Sequence, residues 1–217
     1  MMFAKTFGAT TLGIDGMLIE VEADVTNGLP KFEIVGLADM AVREAKERVR
    51  AAIRNAGVSL MPKRITINLA PADLKKNGSM LDLPIAIALL QAYGYLDKAK
   101  CMDSMFVAEL SLEGQVRTVA GVLPMAILCK KLNIKRFFVA KGNEQEALLV
   151  DGIEVYAVNE LSELIAFLEG RKKLKPAVRI EPKSEENNFV DDFADVQGQF
   201  MAKKALEVAA AGGHNLL

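Results

Sequence analysis

The segment that most constrains the fold is an apolar stretch, residues 81–96. It contains Asp82, Pro84 and Gln91 and is shorter than the roughly 20 residues that a bilayer needs, so we predict that it does not cross a membrane. Within it, residues 83–93 are apolar on nearly every side of a helix, which predicts a helix buried all round. A chain of 217 residues that is 51% apolar can supply the core around such a helix. The same composition excludes a wholly disordered chain.

The residues before this helix predict a hairpin, a third strand and an amphipathic helix. Residues 17–25 alternate between apolar and acidic side chains, which predicts a half-buried strand near a sheet edge. A short turn-forming segment precedes it, so we expect it to pair with residues 3–12 as a hairpin. Residues 31–35 are the predicted third strand. Asp39 is placed to cap a helix whose apolar residues recur at 3.6 spacing and which stops at Gly57.

The remaining pattern alternates short apolar segments with helical ones, which predicts a mixed α/β fold. Strands are expected at residues 64–69, 105–110, 115–118, 136–139 and 154–157, and helices at residues 122–132, 143–149 and 161–169. A tight turn at Glu113 and Gly114 should join the strands on either side of it.

Charge and proline content divide the chain into three predicted parts. Residues 1–170 carry the α/β pattern, whereas about half of the residues from 169 to 188 are charged and two prolines interrupt any periodicity. We therefore predict a linker over residues 171–190. Residues 191–217 are too short for a domain and end in a predicted apolar strand, which cannot satisfy its backbone groups without a partner. We expect the chain to stop inside a second domain.

Residue counts exclude several classes of protein. The 27 Lys and Arg residues against 28 Asp and Glu give a net charge of -1, so any contact with nucleic acid must be local. Two cysteines, Cys101 and Cys129, and a single His214 are too few for a zinc site or a disulfide framework. The N-terminus lacks an apolar run of signal-peptide length, which favours a cytoplasmic protein.

Five motifs carry a resemblance to a known family. They are Val35-Gly-Leu-Ala-Asp39, Arg64-Ile-Thr-Ile-Asn-Leu-Ala-Pro71, Lys75-Lys-Asn-Gly-Ser-Met-Leu-Asp-Leu-Pro84, Ala108-Glu-Leu-Ser-Leu-Glu-Gly114, and Asp195-Val-Gln-Gly-Gln199 followed by residues 203–217. The chain resembles the N-terminal part of magnesium-chelatase-like AAA+ ATPases of the ComM/YifB type. For residues 1–170 this implies a ChlI-type domain with the Lon-protease-like, ribosomal S5 domain 2-like fold, a mixed sheet with packed helices. Residues 191–217 would then be the truncated start of an AAA+ ATPase domain.

The resemblance also implies a function for the full-length protein. It would be a ring-shaped homo-oligomer that uses ATP and Mg²⁺ to remodel DNA, as a helicase or branch-migration motor linked to competence for natural transformation. In the family the strand that begins at Asn215 leads into the phosphate-binding Walker A loop. Val196 and Gln199 resemble the segment beside the adenine, so we expect them to line one wall of that pocket only together with the missing loop. An ordinary loop and helix cap is the alternative for these two residues. Without the loop, we expect the fragment to have no catalytic residue, cofactor or metal, and to be inactive.

A Lon-like serine-lysine peptidase is a second function that the resemblance raises. Such a peptidase needs a serine hydroxyl within hydrogen-bond reach of a lysine whose pKa is lowered by burial. At the nucleophile's position this chain has Met80, with Ser79 one residue earlier, and at the lysine's position it has Leu123, which cannot be a base. Lys75 and Lys76 lie in a polar loop, where we expect hydrated, charged ammonium groups. We therefore expect no peptidase activity, and we interpret Ser79 as a loop hydroxyl that bonds nearby backbone amides.

A stand-alone DNA-binding module is the third possibility, and it depends on the amphipathic helix that follows Asp39. The polar face of this helix carries five cations against two glutamates, namely Arg43, Lys46, Arg48, Arg50 and Arg54 against Glu44 and Glu47. Cations spaced along one helix can meet successive phosphates. The alternative is a solvent-exposed face with pairs such as Glu44 with Arg48. Residues 75–79 are likewise either a phosphate-binding turn or a solvated one.

Overall fold

The computed structural model describes residues 2–76, 78–180 and 192–216. The chain divides into two compact units, Met1–Arg179 and Ile180–Leu217. Among the described residues, no helix is long and apolar enough to cross a membrane.

The first unit is built on a mixed sheet of seven strands. In chain order the strands of this unit are β1 (Met2–Leu12), β2 (Asp15–Thr26), β3 (Lys31–Val35), β4 (Arg64–Ala70), β5 (Ser104–Val107), β6 (Glu109–Leu110), β7 (Val116–Arg117), β8 (Arg136–Ala140) and β9 (Glu154–Val158). The large sheet has the order β3-β4-β2-β1-β5-β8-β9, and β6 and β7 form a separate pair. Strand β2 runs antiparallel to β1 and β4, and the other neighbours in the large sheet are parallel. The predicted mixed α/β class is confirmed.

Helices cover both faces of the large sheet. They are α1 (Met40–Asn55), α2 (Asp82–Ala92), α3 (Val122–Lys131), α4 (Glu144–Ala147) and α5 (Leu161–Leu168), and the second unit contains α6 (Phe200–Gly212). Buried residues of α1, α2 and α5 form one apolar cluster with one face of the sheet, and those of α3 and α4 form a second cluster with the other face. Alternate residues of β5 and β8 contribute to the two clusters, as expected for strands covered on both sides.

Helix α2 is the centre of the first cluster. Every residue from Asp82 to Ala92 is buried, which confirms the prediction of a helix buried all round. Helix α1 begins as predicted, because the Asp39 side chain accepts a hydrogen bond from the backbone N of Val42 at 2.8 Å.

The predicted hairpin is confirmed, but its predicted position in the sheet is wrong. Strands β1 and β2 pair along their whole length, whereas β2 lies between β1 and β4 and not near an edge. The acidic face of β2 is stabilised by neighbouring strands. Glu20 lies 2.9 Å from the ammonium of Lys5 on β1, and Glu22 accepts a hydrogen bond from the Asn68 side chain of β4 at 2.8 Å. Acidic alternation therefore indicated polar cross-strand partners and not an open edge.

The strand predicted over residues 105–110 is divided at Ala108. The backbone N of Ala108 donates to the carbonyl of Met80 at 3.1 Å, and the carbonyl of Ala108 accepts from the backbone N of Leu83 at 3.2 Å. These bonds direct the chain from the sheet to the beginning of α2. Strand β6 then pairs with β7 instead of continuing β5.

The second unit contains a short 3-10 turn, Phe193–Asp195, and the predicted helix α6. Asn215 and Leu216 have no regular secondary structure and Leu217 lies outside the described residues, so the terminal strand stays a prediction. Residues 181–190 of the predicted linker also lie outside them, while residues 171–180 contain no helix or strand. The division at residues 170 and 190 stays a prediction.

Gly36, directly after β3, allows a close approach of two parallel strands. Its φ is +102°, and an added Cβ would overlap the backbone carbonyl of Leu69 on β4. We predict that Gly36→Ala destabilises the chain by at least about 2 kcal/mol more than Gly57→Ala. Gly57 is the matched control, because its φ is +87° but nothing lies within 4 Å of its added Cβ. Urea unfolding of both variants measures the difference, and equal losses would contradict the overlap.

Candidate functional site

A buried ion pair joins α1 to the beginning of α2. The Asp82 carboxylate accepts two hydrogen bonds from the Arg48 guanidinium, from Nε at 2.6 Å and from Nη2 at 3.0 Å. The backbone N of Leu110 on β6 donates to the same carboxylate at 3.2 Å. The Asp82 side chain is 1% exposed and that of Arg48 is 22% exposed. The bidentate ion pair and the bond from Leu110 together fix the relative positions of α1, α2 and β6.

Burial sets the protonation of this pair. Removal from water raises the pKa of Asp82 from 3.8 to about 6, although the Arg48 guanidinium and the Leu110 amide act in the opposite direction. The hydrogen bond to Asp82 raises the pKa of Arg48 above its ordinary value. Asp82 therefore releases its proton at a higher pH than an ordinary aspartate does.

The prediction that Arg48 faces outward and pairs with Glu44 is wrong. Its side chain turns inward, where it bonds Asp82 and also donates to the carbonyl of Ala41 at 3.0 Å. A buried carboxylate needs a nearby cation far more than an exposed glutamate does, which explains the choice of partner. Arg43, Arg50 and Arg54 are exposed, as predicted.

The Ser79 hydroxyl, the candidate nucleophile, is bound to a carboxylate. It donates a hydrogen bond to Oε2 of Glu109, and Oε1 of Glu109 lies 3.7 Å from the Arg117 guanidinium. The expected partners of this hydroxyl were backbone amides, and that expectation is wrong. Residue 109 becomes available because the chain leaves the sheet at Ala108.

Lys76 is buried, so the expectation of a hydrated ammonium at this position is wrong. The residue is 0% exposed, and its ammonium donates to the backbone carbonyl of Pro71. Its backbone bonds Leu37 at 3.2 Å and Asp39 at 3.1 Å, which draws the loop inward. Burial lowers the pKa of Lys76, with the Asp73 carboxylate opposing the shift. Lys75 is exposed, as expected.

A buried lysine and a nearby serine are therefore present without forming a dyad in the described contacts. The Lys76 ammonium bonds Pro71 and the Ser79 hydroxyl bonds Glu109. Met80 packs against the core. Leu123 occupies the position at which a peptidase of the Lon type would have its lysine, and its backbone N donates to the Glu146 carboxylate at 2.8 Å.

In the turn at residues 75–79, two of the groups that could bind a phosphate are engaged with the protein instead. The backbone N of Gly78 donates to the Asp39 carboxylate at 3.3 Å, and the Lys76 ammonium is turned into the protein. Asn77 lies outside the described residues. Lys75 is the exposed lysine of this turn.

In the second unit, Val196 and Gln199 lie on either side of the entry to α6. Val196 is 45% exposed, and its carbonyl accepts a hydrogen bond from the Lys203 ammonium at 2.5 Å. Gln199 is the N-cap residue of α6, with a φ of +53° and no side-chain capping bond. Both side chains are exposed, and their role beside an adenine stays a prediction.

The two cysteines are free thiols inside the first unit. Cys101 and Cys129 are buried, and burial raises their thiol pKa values to about 11 and about 12. Cys129 lies on α3 and belongs to the apolar cluster on that face of the sheet. Across the described ranges, no group of three or more His, Cys, Asp or Glu side chains could hold a metal ion.

Comparison with known proteins identifies the family. Residues 21–143 match the family model described as subunit ChlI of Mg-chelatase, and residues 192–217 match that described as magnesium chelatase, subunit ChlI. Since the first match alone covers more than half of the chain, the chain belongs to the Mg-chelatase ChlI family.

Within this family the chain is a ComM/YifB-type protein, as its motifs predicted. It is 43% identical over 220 residues to competence protein ComM of Haemophilus influenzae, covering 100% of this chain and 43% of that protein. It is 43% identical over 207 residues to YifB of Escherichia coli, covering 95% of this chain and 40% of that protein. Lon protease 2 of Bacillus subtilis is 25% identical over 169 residues, covering 69% of this chain and 30% of that protein. The chain thus spans about two fifths of the length of ComM and YifB.

We predict that Arg48→Gln destabilises the chain by about 3–5 kcal/mol at about pH 7, because it leaves the buried Asp82 carboxylate unpaired. Arg43→Gln is the matched control on the exposed face of α1 and should change stability by less than about 0.5 kcal/mol. Urea unfolding measures both variants. The Arg48→Gln loss should shrink toward about pH 5, where Asp82 takes up a proton. Equal stabilities for the two variants would contradict the pairing.

The raised pKa of Asp82 predicts a pH dependence with a definite sign. Between about pH 4 and about pH 6 the folded chain keeps a proton on Asp82 that the unfolded chain has lost, so this carboxyl contributes less stability as the pH rises. Raising the pKa from 3.8 to about 6 corresponds to a change of at most about 3 kcal/mol in the free energy of unfolding. The difference in unfolding free energy between the chain and its Asp82→Asn variant should fall through this window and stay constant above it. A difference that rises with pH would show that the pKa is lowered.

Proposed function

We propose that the chain is the N-terminal region of an ATP-driven, DNA-remodelling AAA+ motor that promotes branch migration during natural transformation. The observation that carries this proposal is the 43% identity to ComM, a protein named for competence, along the whole chain. The order of the two ChlI matches, at residues 21–143 and 192–217, agrees with an N-terminal domain followed by the beginning of a motor domain.

The first unit serves in this proposal as a non-catalytic domain with the Lon-protease-like, ribosomal S5 domain 2-like fold. Its mixed sheet and the partial similarity to Lon protease 2 support the fold. The engagement of Ser79 with Glu109, and of Lys76 with Pro71, supports the absence of peptidase chemistry, because neither group is free to activate the other.

The full-length protein would bind ATP and Mg²⁺ and assemble as a homo-oligomeric ring on DNA. Hydrolysis of the bound ATP, in which the γ-phosphoryl group is transferred to water, would supply the free energy for movement along DNA. Within this chain, the Val196 side chain would cover one side of the adenine and the Gln199 amide would lie beside it. Both are exposed in the second unit.

The test compares the full-length gene product with the present chain in ATPase and three-strand junction-migration assays. We expect the full-length protein to hydrolyse ATP and to move junctions only with ATP and Mg²⁺, and the present chain to do neither. In the full-length protein, Val196→Asp should raise the KM for ATP by about tenfold, equivalent to about 1.4 kcal/mol. Val178→Asp, at an exposed valine of the first unit, is the matched control.

Two results would contradict the proposal. A full-length protein that lacks ATP-dependent junction movement would remove the motor function. Labelling of Ser79 by a serine-reactive phosphonate, together with cleavage of unfolded casein, would establish the Lon-like peptidase instead.

A further inference from the structure

We propose that a groove beside α1 binds the phosphate backbone of a single-stranded nucleic acid. Lys46, Arg50 and Arg54 of α1 form one wall, and the segment from Val58 to Lys63 forms the other. This groove is called the basic groove below. The inference rests on the proposed function for its DNA partner, and it adds a contact surface on the first unit.

Two adjoining cavities make the basic groove continuous. They have volumes of about 180 and about 420 Å³ and share Glu47, Arg50 and Leu60 as lining residues. Lys46, Arg50 and Arg54 follow one another at intervals of four residues, which is about 6 Å per step along a helix. This interval is comparable with the separation of neighbouring phosphates on an extended single strand, so the three cations can each face one phosphate.

The charge of the groove is strongly positive although the chain as a whole is not. Its lining includes five cations and one carboxylate, namely Lys31, Lys46, Arg50, Arg54 and Lys63 against Glu47. Within residues 2–76, 78–180 and 192–216, the side chains of Lys46, Arg50 and Arg54 form no hydrogen bond or ion pair. These three cations are thus available to a ligand, whereas Lys31 is paired with Glu33 at 2.6 Å.

Two aromatic residues favour a single strand over a duplex. Phe32 and Tyr93 line the smaller cavity, and both are partly exposed. The Tyr93 hydroxyl donates to the carbonyl of Met61 at 2.8 Å, which ties the ring to the wall opposite α1. Unpaired bases can stack on aromatic rings while their backbone follows a row of cations. In a duplex the bases are already stacked on one another, so only its phosphates would contact the rim.

The basic groove is held in shape without using its own cations. Arg48, on the same helix, anchors α1 to the buried Asp82. The backbone of α1 is therefore already in place when a strand binds, so binding does not have to order this helix.

The test measures binding of a fluorescent, mixed-sequence single-stranded oligonucleotide to the present chain across a series of NaCl concentrations. The test variant is Lys46→Gln/Arg50→Gln/Arg54→Gln. Its matched control is Lys130→Gln/Lys131→Gln/Lys135→Gln, which removes three exposed lysines at and after the end of α3, on the opposite face of the sheet. Lys46 is partly exposed and the other five positions are exposed, so circular dichroism and thermal unfolding should match those of the unmodified chain.

We expect the test variant to bind more weakly and to lose about 2 units from the slope of log K against log salt, at about 0.7 per phosphate contact. The control should keep both the affinity and the slope, and a duplex of the same sequence should bind more weakly than the single strand. Equal effects of the two variants, or no effect of either, would remove the basic groove as the binding site. Tighter binding of the duplex would overturn the preference for a single strand.

These outcomes are separate from those of the motor assays. If the full-length protein moves junctions but the two triple variants behave alike, the groove assignment is wrong and the proposed function stands. If the present chain binds the strand through the groove but the full-length protein has no ATP-dependent activity, the motor proposal is wrong and the groove stands.

Discussion

The buried bond between Arg48 and Asp82 is the interaction on which the first unit depends. Asp82 begins a helix that is buried along its whole length, and a carboxylate there is tolerable only with a cation and hydrogen-bond donors around it. Arg48 brings α1 to this point, and Leu110 brings β6. The pair therefore determines where the polar face of α1 lies, and with it the position of the basic groove.

The polar groups near α2 bond to protein partners and not to one another. A buried amine and a serine hydroxyl both precede the helix, but each has a protein partner that competes with the other. Glu109 is available to Ser79 only because the chain leaves the sheet at Ala108. In our proposal this region stabilises the domain, while contacts with DNA are made beside α1 and nucleotide contacts in the second unit.

Local patterns were sufficient to predict most elements of the fold, because periodicity and capping act over a few residues. Helix α2 follows from a nearly continuous apolar run, and the hairpin follows from apolar alternation together with a turn-forming segment. Three features were not predictable in this way, namely the inward turn of Arg48, the burial of Lys76 and the central position of β2. Each depends on residues distant in sequence, such as Asp82 for Arg48 and β4 for β2. Of the site, the family resemblance indicated Ser79, and the charge pattern indicated the helix after Asp39, but no local signal indicated the partners of these residues.

The position of β1 has a consequence for synthesis of the chain. This strand lies in the middle of the sheet but precedes the other strands of the sheet along the chain, and its parallel neighbour β5 begins only at Ser104. Until that strand emerges, the nascent hairpin has one open side and an uncovered apolar surface. Parallel pairing between such distant segments closes slowly. During translation, the open side of β1 therefore stays unpaired until β5 has been made. In that interval the hairpin of β1 and β2 is the part of the molecule most exposed to wrong associations.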